Sequence, residues 1–544
     1  MAMSEEFRIC GKCKAEIANS VLEKNGSICP ECGNYLSLDA FKRIEMIADE
    51  DSFKRWSNDE NFSNPLNDEL YEQVFNKARN KHSLNDAIID GEITIGGVRT
   101  AIGVMDTRFM MASMGHIVGE RVTRIFETAT RKKLPVILFC CSGGARMQEG
   151  MIALMQMEKT AAAVKRHSDA GLLYISVLTN PTMGGVTASF ATLADVILAE
   201  KGAMIGFAGA RVIEQNTGKK LPSGFQTAQF QRDHGFVDMV VDRYDMKETL
   251  NRIIKLHQKP HKIYYMVQGR IITEDDIRVK KYVERTPWER VQIARSINRP
   301  TSMDYINNLF SEFIELSGDR AGSDDHAVIG GLASINGFPV TVIGHQKGKE
   351  SMEDATYRNW GMPSPQGYRK AMRLAKQAEK FKRPIIFFID TIGAACGQEA
   401  EEDGQGTAIA ELLMEMSTLK TPTLSIVIGE GGSGGALALG IANEVWMLEN
   451  SVYSVITPES YASILWKDNS KFEQAANQMK LEARDLFNLK VIDKIIYEDE
   501  PVTKSNMATI CAELKYEIMG FLNKYRKKNV NTVVKERYQK FRQY

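Results

Sequence analysis

The sequence predicts an α/β protein in which one mostly parallel domain occurs twice, behind a small four-cysteine zinc ribbon. Three observations carry this: two Cys-x-x-Cys pairs within the first 32 residues, a strand-to-glycine-turn pattern that recurs some 250 residues later, and βα alternation inside each copy. The 544 residues suit several domains of ~100–200 residues each, and 43% hydrophobic with 25% charged residues is an ordinary globular composition. Lys+Arg and Asp+Glu are both 69, so no overall field draws the chain onto nucleic acid or an anionic membrane. No apolar run approaches the ~18 residues of a membrane span, and the acidic opening MAMSEEFRIC lacks the form of a secretory signal. A cytoplasmic location is expected.

The ribbon comes first, over residues 1–35. Cys10, Cys13, Cys29 and Cys32 present two thiolate pairs to one tetrahedral Zn2+, with Gly11, Gly26 and Gly33 allowing tight backbone. Four cysteines leave no open coordination position, so one structural zinc per chain is expected. Residues 1–35 hold Arg8, Lys12, Lys14 and Lys24 against five acidic side chains, which argues against a phosphate grip.

The repeat follows. Pro135-Val-Ile-Leu-Phe runs into Ser142-Gly-Gly-Ala-Arg-Met-Gln-Glu149, and Pro384-Ile-Ile-Phe-Phe runs into Thr391-Ile-Gly-Ala-Ala-Cys-Gly-Gln-Glu399, at an offset of 249, or 250 at Gln-Glu. Further on, Leu173-Tyr-Ile-Ser-Val-Leu leads to Met183-Gly-Gly-Val, and Leu424-Ser-Ile-Val-Ile leads to Ser433-Gly-Gly-Ala, read at 250. This period marks duplication of a whole domain. The expected organisation is a first domain over 36–245, a helical connector over 246–300 and a second domain over 301–544, ending in a terminal helix with a solvated charged face.

A strand that stops at Gly-Gly and restarts as a helix leaves backbone N–H groups free where the helix dipole favours negative charge. Gly184, Gly185, Gly434 and Gly435 are therefore candidate oxyanion or phosphate donors; close packing of helix on strand explains the same glycines. Gly431-Gly-Ser433-Gly-Gly435 fits a hydrolase nucleophile elbow, but no His follows it, since the last is His345. Gly429-x-Gly431-x-x-Gly434 fits a dinucleotide fingerprint with Glu449 as ribose partner, although the unit would begin inside a duplicated domain. Met479-Lys480-Leu481 is close to a biotinyl-lysine motif, but its flanks read as helix, which makes Lys480 a helix-surface lysine.

With the Cys ribbon, Ser142-Gly-Gly-Ala-Arg-Met-Gln-Glu-Gly150, Gly206-Phe-Ala-Gly and Arg211-Val-Ile-Glu-Gln215, the first half resembles the β subunit of the carboxyltransferase of bacterial acetyl-CoA carboxylase. The second half resembles the α subunit, at Gly344-His-Gln-Lys-Gly348, Arg358-Asn-Trp-Gly-Met-Pro363, Gly429-Glu-Gly-Gly-Ser-Gly-Gly-Ala436 and Tyr453-Ser-Val-Ile-Thr-Pro458. The resemblance covers nearly the whole chain, with the two subunits fused in the order ribbon, β, α. It departs at Ala395 and Cys396, and at Met111-Ala112, where the β pattern has Gly.

The resemblance implies a crotonase-type (ClpP/crotonase) fold in each half and transfer of carboxyl from carboxybiotin to acetyl-CoA, giving malonyl-CoA for fatty acid synthesis. Gly184-Gly185 would hold the thioester oxygen and Gly434-Gly435 the biotin oxygen. Gly143, Gly144, Ala145, Arg146, Gly393 and Ala394 would line the substrates, with Arg146 either on CoA phosphates or on the surface at a helix start. The implied partners are a biotin carboxyl carrier protein, a biotin carboxylase and a second copy of the chain, the site lying between a β half and an α half. Neither turn offers a matched Asp, Glu or His as general base, which leaves the proton to the ureido nitrogen of biotin. Another acyl-CoA substrate, a dinucleotide enzyme and a zinc-ribbon nucleic-acid binder are the alternatives.

Overall fold

A computed structural model describes residues 7–56, 64–258 and 282–544. Residues 259–281 of the expected connector lie outside the described residues; on either side of them run helices Met246–Leu256 and Pro287–Arg295. The chain divides into two compact units, Met1–Lys255 and Leu256–Tyr544.

The ribbon is an antiparallel pair, β1 (Phe7–Ile9) and β2 (Glu16–Ala18), followed by the short helix Asn19–Lys24. Each Cys-x-x-Cys closes one backbone turn, Lys14 N–H to Cys10 O (3.0 Å) and Gly33 N–H to Cys29 O (2.9 Å). The closing residues are left-handed, Lys14 at φ +63° and Gly33 at +67°. Gly33 suits this conformation without requiring glycine, since in the first pair the same position falls on Lys14 and not on Gly11. The ribbon is fastened to the body of its unit: Arg243 donates to Gly26 O (2.7 Å) and Leu36 O (3.2 Å), and Tyr35 OH lies 2.5 Å from Asp242.

The first unit's sheet contains β3 (Lys54–Arg55), β4 (Ile88–Ile95), β5 (Val98–Met105), β6 (Val136–Ser142), β7 (Tyr174–Thr182), β8 (Val196–Glu200) and β9 (Met239–Val241), in that spatial order. β3, β4 and β5 pair antiparallel; from β5 to β9 every pair is parallel. Parallel strands need crossovers, and helices His116–Lys132 and Gly150–Asp169 supply them around β6. Every residue of β6 and β8 is buried, as expected of strands covered on both faces.

The second unit repeats this plan with β10 (Glu312–Glu315), β11 (Val328–Ile335), β12 (Phe338–His345), β13 (Ile385–Thr391), β14 (Thr423–Gly432), β15 (Glu444–Leu448), β16 (Val452–Ser454) and β17 (Lys494–Ile496). The order is β10-β11-β12-β13-β14-β15-β17, with β16 paired to the end of β14. Ile386, Phe388, Ile426 and Trp446 share a core with Leu514, Ile518 and Phe521 of the helix Met507–Tyr525. The expected terminal helix is in fact two. The first closes this core, and the second, Val530–Arg542, is tied down by buried Arg537, which donates to Met416 O and Leu419 O at the end of helix Gln405–Thr418. Lys480 caps helix Phe472–Met479 at φ +54°, and no hairpin surrounds it.

Candidate active site

The sites begin where parallel pairing breaks. β6 and β7 pair through Cys140 and Leu178, then resume only at Ser142 and Thr182; β13 and β14 pair through Ile389 and Val427, then resume at Thr391 and Gly431. Such a bulge re-aims the chain that follows it. It also fixes the repeat register at 249 in both strands. Gly185 therefore corresponds to Gly434, and Gly184 to Ser433, a correction of one residue to the offset of 250 read from the sequence. The backbone agrees, with φ +60° at Gly184 and +58° at Ser433.

Accounting for the amides narrows the candidates. In the first unit Gly143 N–H donates to Met111 O (2.8 Å), Gly144 N–H to Ser142 Oγ (2.9 Å) and Gly184 N–H to Phe207 O (2.9 Å). The N–H groups of Ala145 and Gly185 have no acceptor among the described residues. In the second unit Gly393 N–H donates to Thr391 Oγ1 (3.1 Å) and Ala395 N–H to Pro363 O (2.8 Å), while those of Ala394 and Gly434 have no described acceptor. Each unit thus presents a free amide from each of two turns, the arrangement that stabilises a developing oxyanion.

The four glycines divide by what a side chain would meet. A Cβ on Gly184 would stand 2.9 Å from Gly144 Cα, and one on Gly435 2.4 Å from Ala394 N. Both let two turns touch. A Cβ on Gly185 would have as nearest neighbours the flexible Met157 side chain (Sδ 3.2 Å, Cγ 3.5 Å) and Ala145 Cβ (3.7 Å), and one on Gly434 would meet nothing within 4 Å. Gly434 therefore faces room, Gly185 faces a side chain that must give by a few tenths of an ångström, and close packing accounts for Gly184 and Gly435.

Arg146 is neither on the surface nor free for a phosphate. Its side chain is 0% exposed; NH2 donates to Asp86 Oδ1 (2.5 Å) and Ser113 O (2.9 Å), and NH1 to Asp86 Oδ2 (2.9 Å) and Tyr71 OH (3.2 Å). An unpaired guanidinium could not be buried this way, so the arginine braces the turn from behind. Glu149 is buried beside it and accepts from Tyr71 OH (2.6 Å), His116 N–H (2.6 Å) and the His116 ring (2.9 Å). Burial pushes its carboxyl up, but these hydrogen bonds prevail and hold it below its ordinary value.

The second turn is braced differently. Lys347 Nζ sits 2.8 Å from Asp390 Oδ1 and 2.9 Å from Glu430 Oε2, and Arg295 joins Glu430 (2.7 Å) to Glu459 (2.6 Å). Burial pushes the Asp390 carboxyl up, and Lys347 and Lys349 more than offset it. His345 is fully buried, and that burial lowers it to about 3, so it is neutral at working pH. Sequence reading quoted Lys347 only inside a longer match and missed Asp390. The available signal was a carboxylate ending an otherwise apolar strand, Ile385-Ile-Phe-Phe-Ile-Asp390.

Beside each site lies a left-handed turn: Met110, Met111 and Ala112 at φ +45°, +55° and +50°, and Asn359, Trp360 and Gly361 at +42°, +56° and +75°. This gives the departure at Met111-Ala112 a physical meaning, because glycine is the residue such backbone favours. The dinucleotide reading fails on geometry. Gly431 is paired within β14, and Glu449 is buried, accepting from the backbone of Val283 (2.8 Å) and Glu498 (3.0 Å).

The four ribbon sulfurs lie within 4.8 Å of one another, with Cys10 to Cys32 at 3.6 Å and Cys13 to Cys29 at 3.7 Å. A tetrahedral zinc with ~2.3 Å bonds needs sulfurs about 3.8 Å apart, so this donor set fits. Among the described residues, no helix is long and apolar enough to cross a membrane.

Residues 242–544 match the family described as acetyl co-enzyme A carboxylase carboxyltransferase-like. The acetyl-coenzyme A carboxylase carboxyl transferase subunits beta/alpha of Natranaerobius thermophilus is 50% identical over 546 residues, covering 98% of this chain and 90% of that protein. The protein of the same name from Clostridium tetani is 48% identical, covering 98% and 92%. The separate alpha subunit of Clostridium acetobutylicum is 53% identical over 260 residues, 48% of this chain and 94% of that one. Among solved structures, transcarboxylase 12S with methylmalonyl-coenzyme A and methylmalonic acid bound superposes with a TM-score of 0.71 at 19% identity, covering 94% of this chain and 92% of that one. A single-chain long-chain acyl-CoA carboxylase superposes with 0.68 at 18%, covering 92% and 47%. At these identities the two likenesses speak for the fold alone, the crotonase-type α/β fold in each half.

Proposed function

The chain belongs to the acetyl-coenzyme A carboxylase carboxyltransferase family, in the form that joins beta and alpha subunits, and from that premise we propose how its two sites divide the work. It is a transferase that makes malonyl-CoA. Acetyl-CoA places its thioester oxygen on the amides of Ala145 and Gly185. Carboxybiotin, presented by a carrier protein that a biotin carboxylase recharges, places its ureido oxygen on the amides of Ala394 and Gly434.

The observation that carries this reading is the pair of free amides in each half, because the reaction has two carbonyls that must bear negative charge. The nearby acids and bases are committed elsewhere, Glu149 to Tyr71 and His116, and Glu430 to Lys347 and Arg295. The methyl proton therefore goes to the substrate's own ureido nitrogen. As the N–C bond of carboxybiotin breaks, CO2 leaves and the ureido group becomes anionic; its nitrogen takes the proton, and the enolate carbon bonds to CO2. The chain supplies position and preorganised donors.

The ribbon cysteines hold one zinc, whose chemistry is to cross-link the fold at the N-terminus. The chain works in the cytoplasm as a pair of copies. Exposed Met147, Met151, Ile152, Leu154 and Met155 lie just after Ala145 and along helix Gly150–Asp169, an apolar face that a neighbour is needed to cover. The test is incubation with malonyl-CoA and biocytin: acetyl-CoA release is expected from the dimer fraction. No release, or release by a sedimenting monomer, contradicts the reading.

A further inference from the structure

Three strands of the second unit, β12, β13 and β14, lie side by side, and one ammonium joins their ends. Lys347 lies two residues beyond β12. Its carboxylate partners, Asp390 near the end of β13 and Glu430 near the end of β14, each stand four residues before a free amide, Ala394 and Gly434 respectively. The bridge is closely fitted. Asp390 Oδ1 also accepts the Glu430 N–H (3.0 Å). A Cβ on Gly429 would stand 2.3 Å from that same oxygen, and a Cβ on Gly361 would stand 2.6 Å from Lys347 Cγ. Glycine at these two places is what lets the bridge close.

Among the described residues, the first unit has no such bridge. β5 and β12 end at Met105 and His345, which puts Thr107 at the place of Lys347, and the 249 register puts Cys141 and Pro181 at the places of Asp390 and Glu430. Stability alone gives no reason for the difference, because a buried ion cluster gains little over well-packed apolar residues. A rigid spacer between two donor turns does give one.

We propose that Lys347 is a positioning residue of the second site: by holding Asp390 and Glu430 on one ammonium, it sets the separation of the Ala394 and Gly434 amides and so the fit of the carbonyl they receive. Only the identity of that carbonyl rests on the assignment made above, which gives it to biotin.

The test compares Lys347→Met with the double variant Lys347→Met/Asp390→Asn in the full zinc-loaded chain. Thermal midpoint is read alongside kcat and the KM values for biocytin and malonyl-CoA. A small misplacement of donors costs ~10²-fold, so Lys347→Met should lose about that much kcat/KM for biocytin while KM for malonyl-CoA stays unchanged. The single variant strands the buried Asp390 carboxylate, whereas Glu430 keeps Arg295, and it melts earlier; the double variant, with the Asp390 charge removed, should regain the melting point and not the turnover. Recovery of both would show that the lysine only neutralises charge, and would overturn the proposal, as would equal changes for both substrates or none. A loss confined to malonyl-CoA would uphold the lysine's role and overturn the assignment of biotin to this site. Should Lys347→Met fail to fold, Glu430→Gln alone weakens the same bridge and should show a smaller loss on the biocytin side; no loss there overturns the proposal.

Discussion

The two donor turns share their backbone and almost none of their scaffolding. Both follow the same bulge, sit beside the same left-handed turn, and leave the same two amides free. Behind the first, Arg146 reaches back from the turn to Asp86 and Tyr71; behind the second, Lys347 reaches across strand ends to Asp390 and Glu430. On the proposed reading the two halves share the positions of the donors because each must meet a carbonyl. The braces were free to change, since any buried, fully partnered charge cluster can hold a turn.

The sharpest way to separate donor glycines from packing glycines is to put the same side chain on neighbours. Gly434→Val points into open space, so the fold should survive while transfer falls at least ~10²–10³-fold, the usual cost of losing one such donor. Gly435→Val drives the valine Cβ to within 2.4 Å of Ala394 N and should unfold or soften the second unit first. Kinetics alongside thermal melts distinguish the two, and equal melting points for both variants would erase the distinction.

Next in size is the brace of the first unit. Arg146→Met strands the Asp86 carboxylate in the interior, an error that costs about 3–5 kcal/mol. Denaturant titration should show that loss in the first unit. A pure KM effect for acetyl-CoA, with stability intact, would restore the phosphate-binding role that burial denies.

Among the described residues the ribbon has no counterpart in the second unit, and its metal should matter less to chemistry than either brace. Replacing Cys29 and Cys32 with Ser should take elemental zinc from about one per chain to none and open residues 7–35 to limited proteolysis, with transfer retained at first because Arg243 still holds Gly26 and Leu36. Unchanged zinc content would remove the ribbon assignment.

The smallest expected effect compares the left-handed turns. The second has Gly361 at its last position, whereas the first has no glycine across Met110, Met111 and Ala112. Ala112→Gly should therefore stabilise the first unit by about 1 kcal/mol, measured as a shift in denaturant midpoint; destabilisation would mean that the buried Ala112 methyl packs more usefully than it strains.

Much of this was legible in the sequence, because the signals were periodic or local. Apolar runs ending at Ser142 and Thr391 gave the strands, and the cysteine spacing gave the ribbon. What escaped was set by distant partners. Nothing local marks Arg146 as buried, since Asp86 is 60 residues away, and Lys347 meets Asp390 and Glu430 only because three parallel strands end together. The offset of 250 went astray by one because Gly-Gly looks alike in both halves, whereas strand pairing and φ set Gly184 against Ser433.

The division of labour between the turns is tested most directly by following CO2 release from carboxybiotin, without an acyl acceptor, in Gly185→Val and Gly434→Val. If the second site holds the ureido oxygen, Gly185→Val should still decarboxylate carboxybiotin unproductively while making no malonyl-CoA, and Gly434→Val should do neither. Equal loss of decarboxylation in both variants would contradict the assignment of one carbonyl to each half.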